Sequence, residues 1–170
     1  MLAFLADRDE RVCLRVRHWH APAWVLAWMI LATRLGDGWL WLLGVALLAA
    51  GGPGYQATLA AAAAACCATN VVQVLVKRRV RRPRPSEVGV TVRRVAAPDR
   101  YSFPSGHSMN AFAFASVVAP DVPLLAPALG FVAASVAASR VVLGLHYPTD
   151  VAAGALLGSL IALVARALVF

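Results

Sequence analysis

The stretch YQATLAAAAAACCATNVVQVLV, residues 55–76, holds 22 residues without a charged side chain. A helix that spans a bilayer needs about 20 mostly apolar residues, so this stretch is predicted to cross a membrane as one helix. Its many alanines allow a neighbouring helix to pack closely, which favours helix association in lipid. Asn70 and Gln73 are its polar side chains near the end, and we expect them to hydrogen-bond to another helix.

The same apolar character extends over most of the chain. The protein has 170 residues, of which 61% are hydrophobic and 14% are charged, and its mean hydropathy is +0.71. Soluble domains carry less apolar content, so the composition indicates one polytopic membrane domain, residues 1–170. The predicted fold is an all-α membrane bundle of about six transmembrane helices, at 21–35, 38–52, 55–76, 105–119, 122–145 and 151–170.

The beginning of the chain has a different pattern. Residues 1–20 mix leucine and valine with charged side chains at helical spacing, which indicates an amphipathic helix at the membrane interface. The segments 21–35 and 38–52 are short for spans and can instead form a re-entrant hairpin. Whether both cross or neither does, counting the crossings places the N-terminus and the 77–104 loop at opposite membrane faces.

The first of three polar clusters is KRRVRRPRP, residues 77–85, directly after the third apolar segment. Basic residues commonly flank spans as topology signals or headgroup contacts, and that is the interpretation of this cluster taken alone. The two prolines end the helix and hold Arg84 on an extended segment. Headgroup contact rather than catalysis is expected for the remaining arginines, Arg78, Arg79, Arg81 and Arg82.

The second cluster is PSGH, residues 104–107, at the start of the fourth apolar segment. Ser105 is a favourable N-cap, and Gly106 allows a ligand to approach the backbone closely. The free N–H groups and the dipole of a helix start favour a bound anion. His107 beside that anion can donate or accept a proton near neutral pH. The alternative is a capped helix start with an incidental histidine.

The third cluster is SRVVLGLHYPTD, residues 139–150. Arg140 lies near the end of the fifth apolar segment, where a guanidinium needs an anionic partner or water. His146 precedes Asp150 by four residues, so the carboxylate can accept the proton on one imidazole nitrogen and leave the other free as a nucleophile. The alternative is a loop histidine followed by a helix-starting aspartate.

The three clusters are predicted to meet at one membrane face, because two crossings separate the first from the third. Two histidines then lie near the cations of Lys77, Arg84 and Arg140. Since arginines repel a metal ion and no third metal ligand is evident, neither a metal nor another cofactor is expected. Arginine forks match phosphate oxygens, and phosphoryl transfer gathers negative charge on those oxygens. The site is therefore predicted to bind phosphate.

The net charge of +8 does not indicate a nucleic-acid partner. The basic residues lie beside membrane spans and lack interleaved aromatic residues. Anionic lipid headgroups or a phosphorylated substrate are the better partners for this charge.

These residues resemble the three-part signature of the type 2 phosphatidic acid phosphatase family, whose fold is shared with vanadium-dependent haloperoxidases. All three parts occur in order and with the family's internal spacing, within a predicted catalytic core of residues 55–165. The matching positions are Lys77, Arg84 and Pro85, then Pro104 to His107, then Ser139, Arg140, His146 and Asp150.

The resemblance implies a metal-independent phosphatase. His146 would attack phosphorus to form a phosphohistidine, with Asp150 orienting the ring. His107 would protonate the leaving oxygen and then activate water. The phosphoryl oxygens would be held by Lys77, Arg84, Arg140, Ser105 and the backbone N–H of Gly106.

The resemblance also implies a lipid substrate that reaches the site from the bilayer, such as phosphatidic acid, phosphatidylglycerol phosphate or a polyprenyl diphosphate. Two alternatives stay open: phosphoryl transfer to an acceptor other than water, and a non-catalytic lipid-binding or transport protein of the same fold. Oligomeric state is not indicated.

The location implied by the resemblance is the inner cell membrane, with several spans and with the site on the outer, periplasmic face. The positive-inside rule points the other way, because the predicted site face carries an excess of basic residues, Arg93 and Arg94 among them.

Overall fold

The computed structural model describes residues 2–89, 95 and 99–170, so Arg93 and Arg94 lie outside the described residues. The described part of the chain is helical, and the all-α prediction is confirmed. Seven α-helices follow one another in order: α1 (Leu2–His18), α2 (Ala23–Leu35), α3 (Trp39–Ala50), α4 (Gln56–Val80), α5 (Gly106–Val118), α6 (Ala126–Val142) and α7 (Pro148–Val169).

Among the described residues, three helical segments are long enough and apolar enough to cross a membrane: Pro53–Val80, Pro123–Val142 and Pro148–Val169. They contain α4, α6 and α7, and the helix predicted over residues 55–76 is confirmed within α4. The helices α2, α3 and α5 are shorter, at 13, 12 and 13 residues. The structure is thus a multi-helix membrane bundle with three helices of spanning length.

The helix α5 lies at the centre of the bundle, in contact with α4, α6 and α7. Its approach to α7 depends on two glycines. A Cβ on Gly158 would overlap the backbone carbonyl of Met109, and one on Gly154 would lie 2.5 Å from the carbonyl oxygen of Ser105. Small residues thus allow the close approach of the two helices at this contact.

Four helix termini meet at one end of the bundle, which we call the site end. The helices α4 and α6 end there, and α5 and α7 begin there. Polar residues that are distant along the chain, from Lys77 to Asp150, therefore lie close together. The prediction that the three polar clusters share one face is confirmed by this arrangement.

The helix α1 also lies at the site end, so the prediction that it and the 77–104 loop lie at opposite faces is wrong. Asp9 of α1 accepts hydrogen bonds from Arg82 Nη2 at 2.8 Å and from the backbone N–H of Thr149 at 3.1 Å. Arg17 Nη1 donates to the carbonyl oxygen of Gly89 at 2.9 Å.

The prediction is wrong because it assumed that α2 and α3 either both cross the membrane or both do not. The turn between them, residues 36–38, lies at the site end, where Asp37 contacts His107. At the other end of α3, Gly51 packs against Tyr55. The helix α3 therefore runs away from the site end, and α4 returns to it.

Candidate active site

A cavity of about 630 Å³ begins at the site end and extends between α3, α4 and α5. Two of the eight predicted site residues, Ser105 and Asp150, are fully buried behind its wall. The other six line the cavity: Lys77, Arg84, Gly106, His107, Arg140 and His146. We call the five charged or imidazole side chains among these six the phosphate centre.

Ser105 fixes the start of α5. Its Oγ accepts a hydrogen bond from the backbone N–H of Ser108 at 3.4 Å, as the predicted N-cap requires. Its own backbone N–H donates to the carbonyl oxygen of Asp150 at 3.0 Å, which holds the start of α5 against α7.

The imidazole of His146 is held by a backbone carbonyl. Its Nδ1 lies 2.6 Å from the carbonyl oxygen of Ser102, and because a carbonyl can only accept, Nδ1 carries the hydrogen. The other nitrogen, Nε2, is unprotonated and accepts a hydrogen bond from Arg84 Nη1 at 3.2 Å. Asp150 Oδ2 is 3.7 Å from Nδ1, beyond hydrogen-bond distance. Ser102, rather than Asp150, is thus the acceptor in this structure.

The electrostatic surroundings keep His146 neutral. Burial lowers the pKa of this imidazole well below its usual range, and the cations of Arg140, Arg84 and Lys77 lower it further. A neutral imidazole with an unprotonated Nε2 is the form that can act as a nucleophile.

The carboxylate of Asp99 is paired with two of the cations that were predicted to bind phosphate. Its Oδ2 lies 2.5 Å from Lys77 Nζ, and its Oδ1 accepts from Arg84 Nη2 at 2.8 Å. Burial raises the pKa of Asp99, but the hydrogen bond and charge of Lys77, together with Arg84, outweigh it and hold the pKa below its usual range. Asp99 belongs to no motif and was not predicted from the sequence.

Arg140 has donors available for an anion. It is buried at the end of α6, where Nη1 donates to the hydroxyl of Thr33. Its Nε and Nη2 have no hydrogen-bond partner among the residues that the structure describes. A buried guanidinium with two unpaired donors favours a bound anion.

His107 is paired with a carboxylate that the sequence analysis also missed. Its Nε2 lies 2.6 Å from Oδ1 of Asp37, in the turn between α2 and α3. The two residues are 70 positions apart, and Asp37 stands between two apolar segments in no recognisable motif.

Arg82 was expected to contact headgroups, but it makes contacts inside the protein that were not predicted from the sequence. Its Nη1 donates to Asp150 Oδ1 at 2.7 Å and its Nη2 to Asp9 Oδ2 at 2.8 Å. The guanidinium also lies over the ring of Tyr147, 3.9 Å from the ring centroid. Arg82 therefore joins α1 to the start of α7, directly behind His146.

Asn70 and Gln73 do not form the predicted hydrogen bonds between helices. Gln73 Nε2 donates to Asn70 Oδ1 at 2.7 Å, and Asn70 Nδ2 donates to the carbonyl oxygen of Cys66 at 2.9 Å, all within α4. Both amides line the cavity. A Cβ on Gly106 would overlap the Gln73 amide, so the space that this glycine opens is filled by Gln73.

The fold and the site together define a helical membrane protein with a cluster of cations and imidazoles at one end of its bundle. The chain belongs to the PAP2 superfamily, which matches residues 58–170. The resemblance found in the three polar clusters is confirmed by this match.

Similar proteins include curated enzymes from mycobacteria. The chain is 40% identical over 117 residues to the decaprenylphosphoryl-5-phosphoribose phosphatase of Mycolicibacterium smegmatis, covering 69% of this chain and 62% of that protein. The Mycobacterium tuberculosis H37Rv protein of the same name is 39% identical over 90 residues, covering 53% of this chain and 49% of that protein. The chain thus spans about half to three fifths of the length of these relatives.

Solved structures that share the fold include one from Bacillus subtilis and one from Aquifex aeolicus. The transmembrane PAP2 type phosphatidylglycerolphosphate phosphatase from Bacillus subtilis matches with a TM-score of 0.79 at 24% identity, covering 96% of this chain and 85% of that one. Aquifex aeolicus LpxE matches with a TM-score of 0.79 at 20% identity, covering 91% of this chain and 92% of that one.

Proposed function

We propose that this protein is a membrane lipid phosphate phosphatase that hydrolyses a phosphomonoester or diphosphate of a lipid through a phosphohistidine, without a metal. One observation carries the proposal: the unprotonated Nε2 of His146 lies at a cavity that has three cations at one end and an apolar wall further in. An unprotonated nitrogen beside a cationic anion site is what in-line attack on phosphorus requires.

In the first step the substrate phosphoryl group replaces Asp99 on Lys77 and Arg84 and takes the unpaired donors of Arg140. The backbone N–H of Gly106 at the start of α5 completes the cradle in this mechanism, and Ser105 holds that helix start against α7. A bond forms between Nε2 of His146 and phosphorus while the bond from phosphorus to the leaving oxygen breaks. His107 donates its proton to that oxygen, and Asp37 supports the protonated imidazole beforehand.

In the second step His107, now neutral, takes a proton from water. The water oxygen bonds to phosphorus, the bond between nitrogen and phosphorus breaks, and inorganic phosphate is released. The carbonyl of Ser102 keeps the hydrogen on Nδ1 of His146 through both steps. Asp150 and Arg82 act on the backbone around the histidine rather than on its ring.

A second cavity supports a lipid substrate. It has a volume of about 400 Å³ and a mostly apolar lining that includes Leu47, Leu129 and Val132. The rings of Trp41 and Phe114 border both cavities and lie 5.1 Å apart. An acyl or prenyl chain fits this lining by the hydrophobic effect. Because one relative is named for a decaprenyl-linked phosphoribose, lipid-linked sugar phosphates join phosphatidic acid, phosphatidylglycerol phosphate and polyprenyl diphosphates as candidates.

The membrane arrangement forms part of the proposal. We place α2, α3 and α5 within the bilayer beside the three helices of spanning length, which gives six membrane helices around one catalytic core. The family resemblance favours an outer-facing site, but α1 at the site end adds Arg8, Arg11, Arg15 and Arg17 to the arginines of residues 77–85. At the opposite end Arg166 is paired with Asp121 at 2.5 Å. The positive-inside rule supports a site that faces the cytoplasm.

The test is phosphate release by the detergent-purified protein from a panel of lipid phosphates and diphosphates, with and without magnesium. We expect vanadate-sensitive release that does not need magnesium and that disappears in His146→Ala. The control is His20→Ala, which removes an exposed imidazole outside the cavity. Equal release from His146→Ala, or a strict need for magnesium, would overturn the mechanism.

A further inference from the structure

Beyond the phosphate centre, the cavity carries neutral polar side chains that the proposed chemistry does not use. On α4, Asn70 and Gln73 precede Lys77 by seven and four residues, so the three side chains share one helix face. On α5, Asn110 follows His107 by three residues and also lines the cavity. We call Asn70, Gln73 and Asn110 the amide layer.

The amide layer begins beside Gly106, where the Gln73 amide lies, and continues deeper into the cavity through Asn110 and Asn70. Three residues of α-helix advance about 4.5 Å, so Asn110 lies that far beyond His107 along α5. His107 is the group that protonates the leaving oxygen in the proposed mechanism. The carbon skeleton attached to that oxygen therefore extends toward the amide layer.

Two buried polar atoms in this part of the cavity need partners. Within the described ranges 2–89, 95 and 99–170, Asn110 Oδ1 and Trp41 Nε1 have no hydrogen-bond partner. Leaving a buried polar group unpaired costs about 1–3 kcal/mol. One is an acceptor and the other a donor, and a hydroxyl group can satisfy either kind.

The cavity therefore presents three zones in order: cations, amides, and then apolar side chains that include Val45, Ala62 and Phe114. A matching ligand has a phosphoryl group, a hydroxyl-bearing group and an apolar chain in the same order. A lipid diphosphate matches less well, because its second phosphoryl group would lie among neutral amides and near the Asp37 carboxylate. The cations among the described lining residues are Lys77, Arg84 and Arg140, which already surround the first group.

We propose that the amide layer binds hydroxyl groups on the alcohol that carries the scissile phosphoryl group. The preferred substrate is then a phosphorylated polyol, such as a sugar or glycerol unit, attached to a lipid chain. This inference rests on the proposed phosphatase function and adds the chemical class of the leaving group. A site that hydrogen-bonds substrate hydroxyls discriminates strongly against an analogue without them, because its polar groups are then left unpaired.

The test uses three synthetic substrates with the same prenyl chain. The first carries a pentose 5-phosphate, the second a phosphomonoester on a propyl spacer without hydroxyls, and the third a diphosphate. The unmodified protein should show a kcat/KM at least tenfold higher for the pentose compound than for the other two. In Asn110→Leu and Gln73→Leu the ratio of pentose to propyl compound should fall toward one, through a higher KM for the pentose compound.

The ratio is taken within each variant, so a smaller fraction of folded protein does not change it. The matched control is Ser116→Ala, which removes a polar group of α5 that bonds Ser159 outside both cavities; it should keep the ratio of the unmodified protein. Equal kcat/KM for all three compounds, or an unchanged ratio in both leucine variants, would overturn the amide layer while leaving the phosphatase function intact. Release from none of the compounds would overturn both.

Discussion

At the scale of single residues, His146 shows how a buried imidazole is oriented without a carboxylate. Its Nδ1–H donates to the Ser102 carbonyl, whereas Asp150 accepts from the backbone N–H of Tyr147 at 2.8 Å. A backbone carbonyl does not take up a proton in the ordinary pH range, so the tautomer stays fixed with Nε2 unprotonated. Orienting the ring and positioning the loop are thus separate tasks of separate groups.

The lowered pKa of His146 makes the stability of the protein depend on pH. Below about pH 6.5 this imidazole is protonated in the unfolded chain but not in the folded chain. The free energy of unfolding therefore falls as the pH falls. We expect the apparent Tm in detergent to drop less between pH 8 and pH 5 in His146→Asn than in the unmodified protein. Other histidines are present in both proteins and cancel in the comparison. Identical drops in both proteins would contradict the lowered pKa.

Asp99 is expected to compete with phosphate for Lys77 and Arg84. Replacing Asp99 with asparagine removes the charge that occupies these cations, so vanadate should bind more tightly, by roughly tenfold if one charge-assisted hydrogen bond is released. The measurement is the inhibition constant of vanadate at pH 7. Asp121→Asn is the control, since that carboxylate pairs with Arg166 at the far end of the bundle. Weaker vanadate binding in Asp99→Asn would instead make Asp99 a positioning residue for the two cations.

At the scale of helices, α1 is a structural part of the site. Asp9 is 2% exposed and binds both Arg82 and Thr149, while Arg82 also binds Asp150. The helix α1 thereby holds the start of α7 through Asp9 and Arg82. Breaking a buried ion pair by removing one partner leaves the other charge uncompensated.

We therefore expect Asp9→Asn to destabilise the protein. Because Arg82 is partly exposed and keeps Asp150, the expected loss is about 2 kcal/mol, or roughly 4–8 °C in apparent Tm. Trypsin should also cleave α1 faster at its arginines. The matched control is Asp7→Asn, which removes the same charge from an exposed position of the same helix. Equal behaviour of the two variants would show that Asp9 does not hold α1 in place.

The contact between α5 and α7 gives a second prediction for helices. Gly158→Ala should destabilise the bundle by about 1–3 kcal/mol, because its Cβ overlaps the Met109 carbonyl. Gly130→Ala on α6 is the control, since a Cβ there meets nothing within 4 Å. That change should raise or maintain the apparent Tm, as alanine favours a helix interior over glycine. A Gly158→Ala protein as stable as Gly130→Ala would contradict the close approach.

At the scale of the whole molecule, the distribution of charge predicts the orientation in the membrane. In a variant without native cysteines, a cysteine replacing Arg79 marks the site end and one replacing Leu124 marks the opposite end. Both positions are exposed, Leu124 to 90%. A membrane-impermeant maleimide added to intact cells should label the cysteine at 124 and spare the one at 79. The reverse pattern would restore the outer-facing site implied by the resemblance.

Much of this architecture can be read from local patterns. The 22 residues directly before Lys77 carry no charge and are long enough to span a bilayer, so they predict a membrane helix. The helix N-cap at Ser105 is predictable because its hydroxyl accepts a hydrogen bond from the backbone N–H of Ser108, only three positions later. In these cases the interacting groups are close in sequence, or the constraint is the thickness of the bilayer.

The sequence was therefore sufficient for an all-α membrane bundle, for its family and for the convergence of Lys77, His107 and His146. It could not supply the partners that complete the site. Asp37 meets His107 across 70 positions and Asp9 meets Thr149 across 140, and the acceptor for His146 is a backbone carbonyl, which any residue carries. Contacts of this kind depend on how the helices turn and pack. Tertiary structure alone thus decided which carboxylates lie in the site and at which end of the bundle α1 lies.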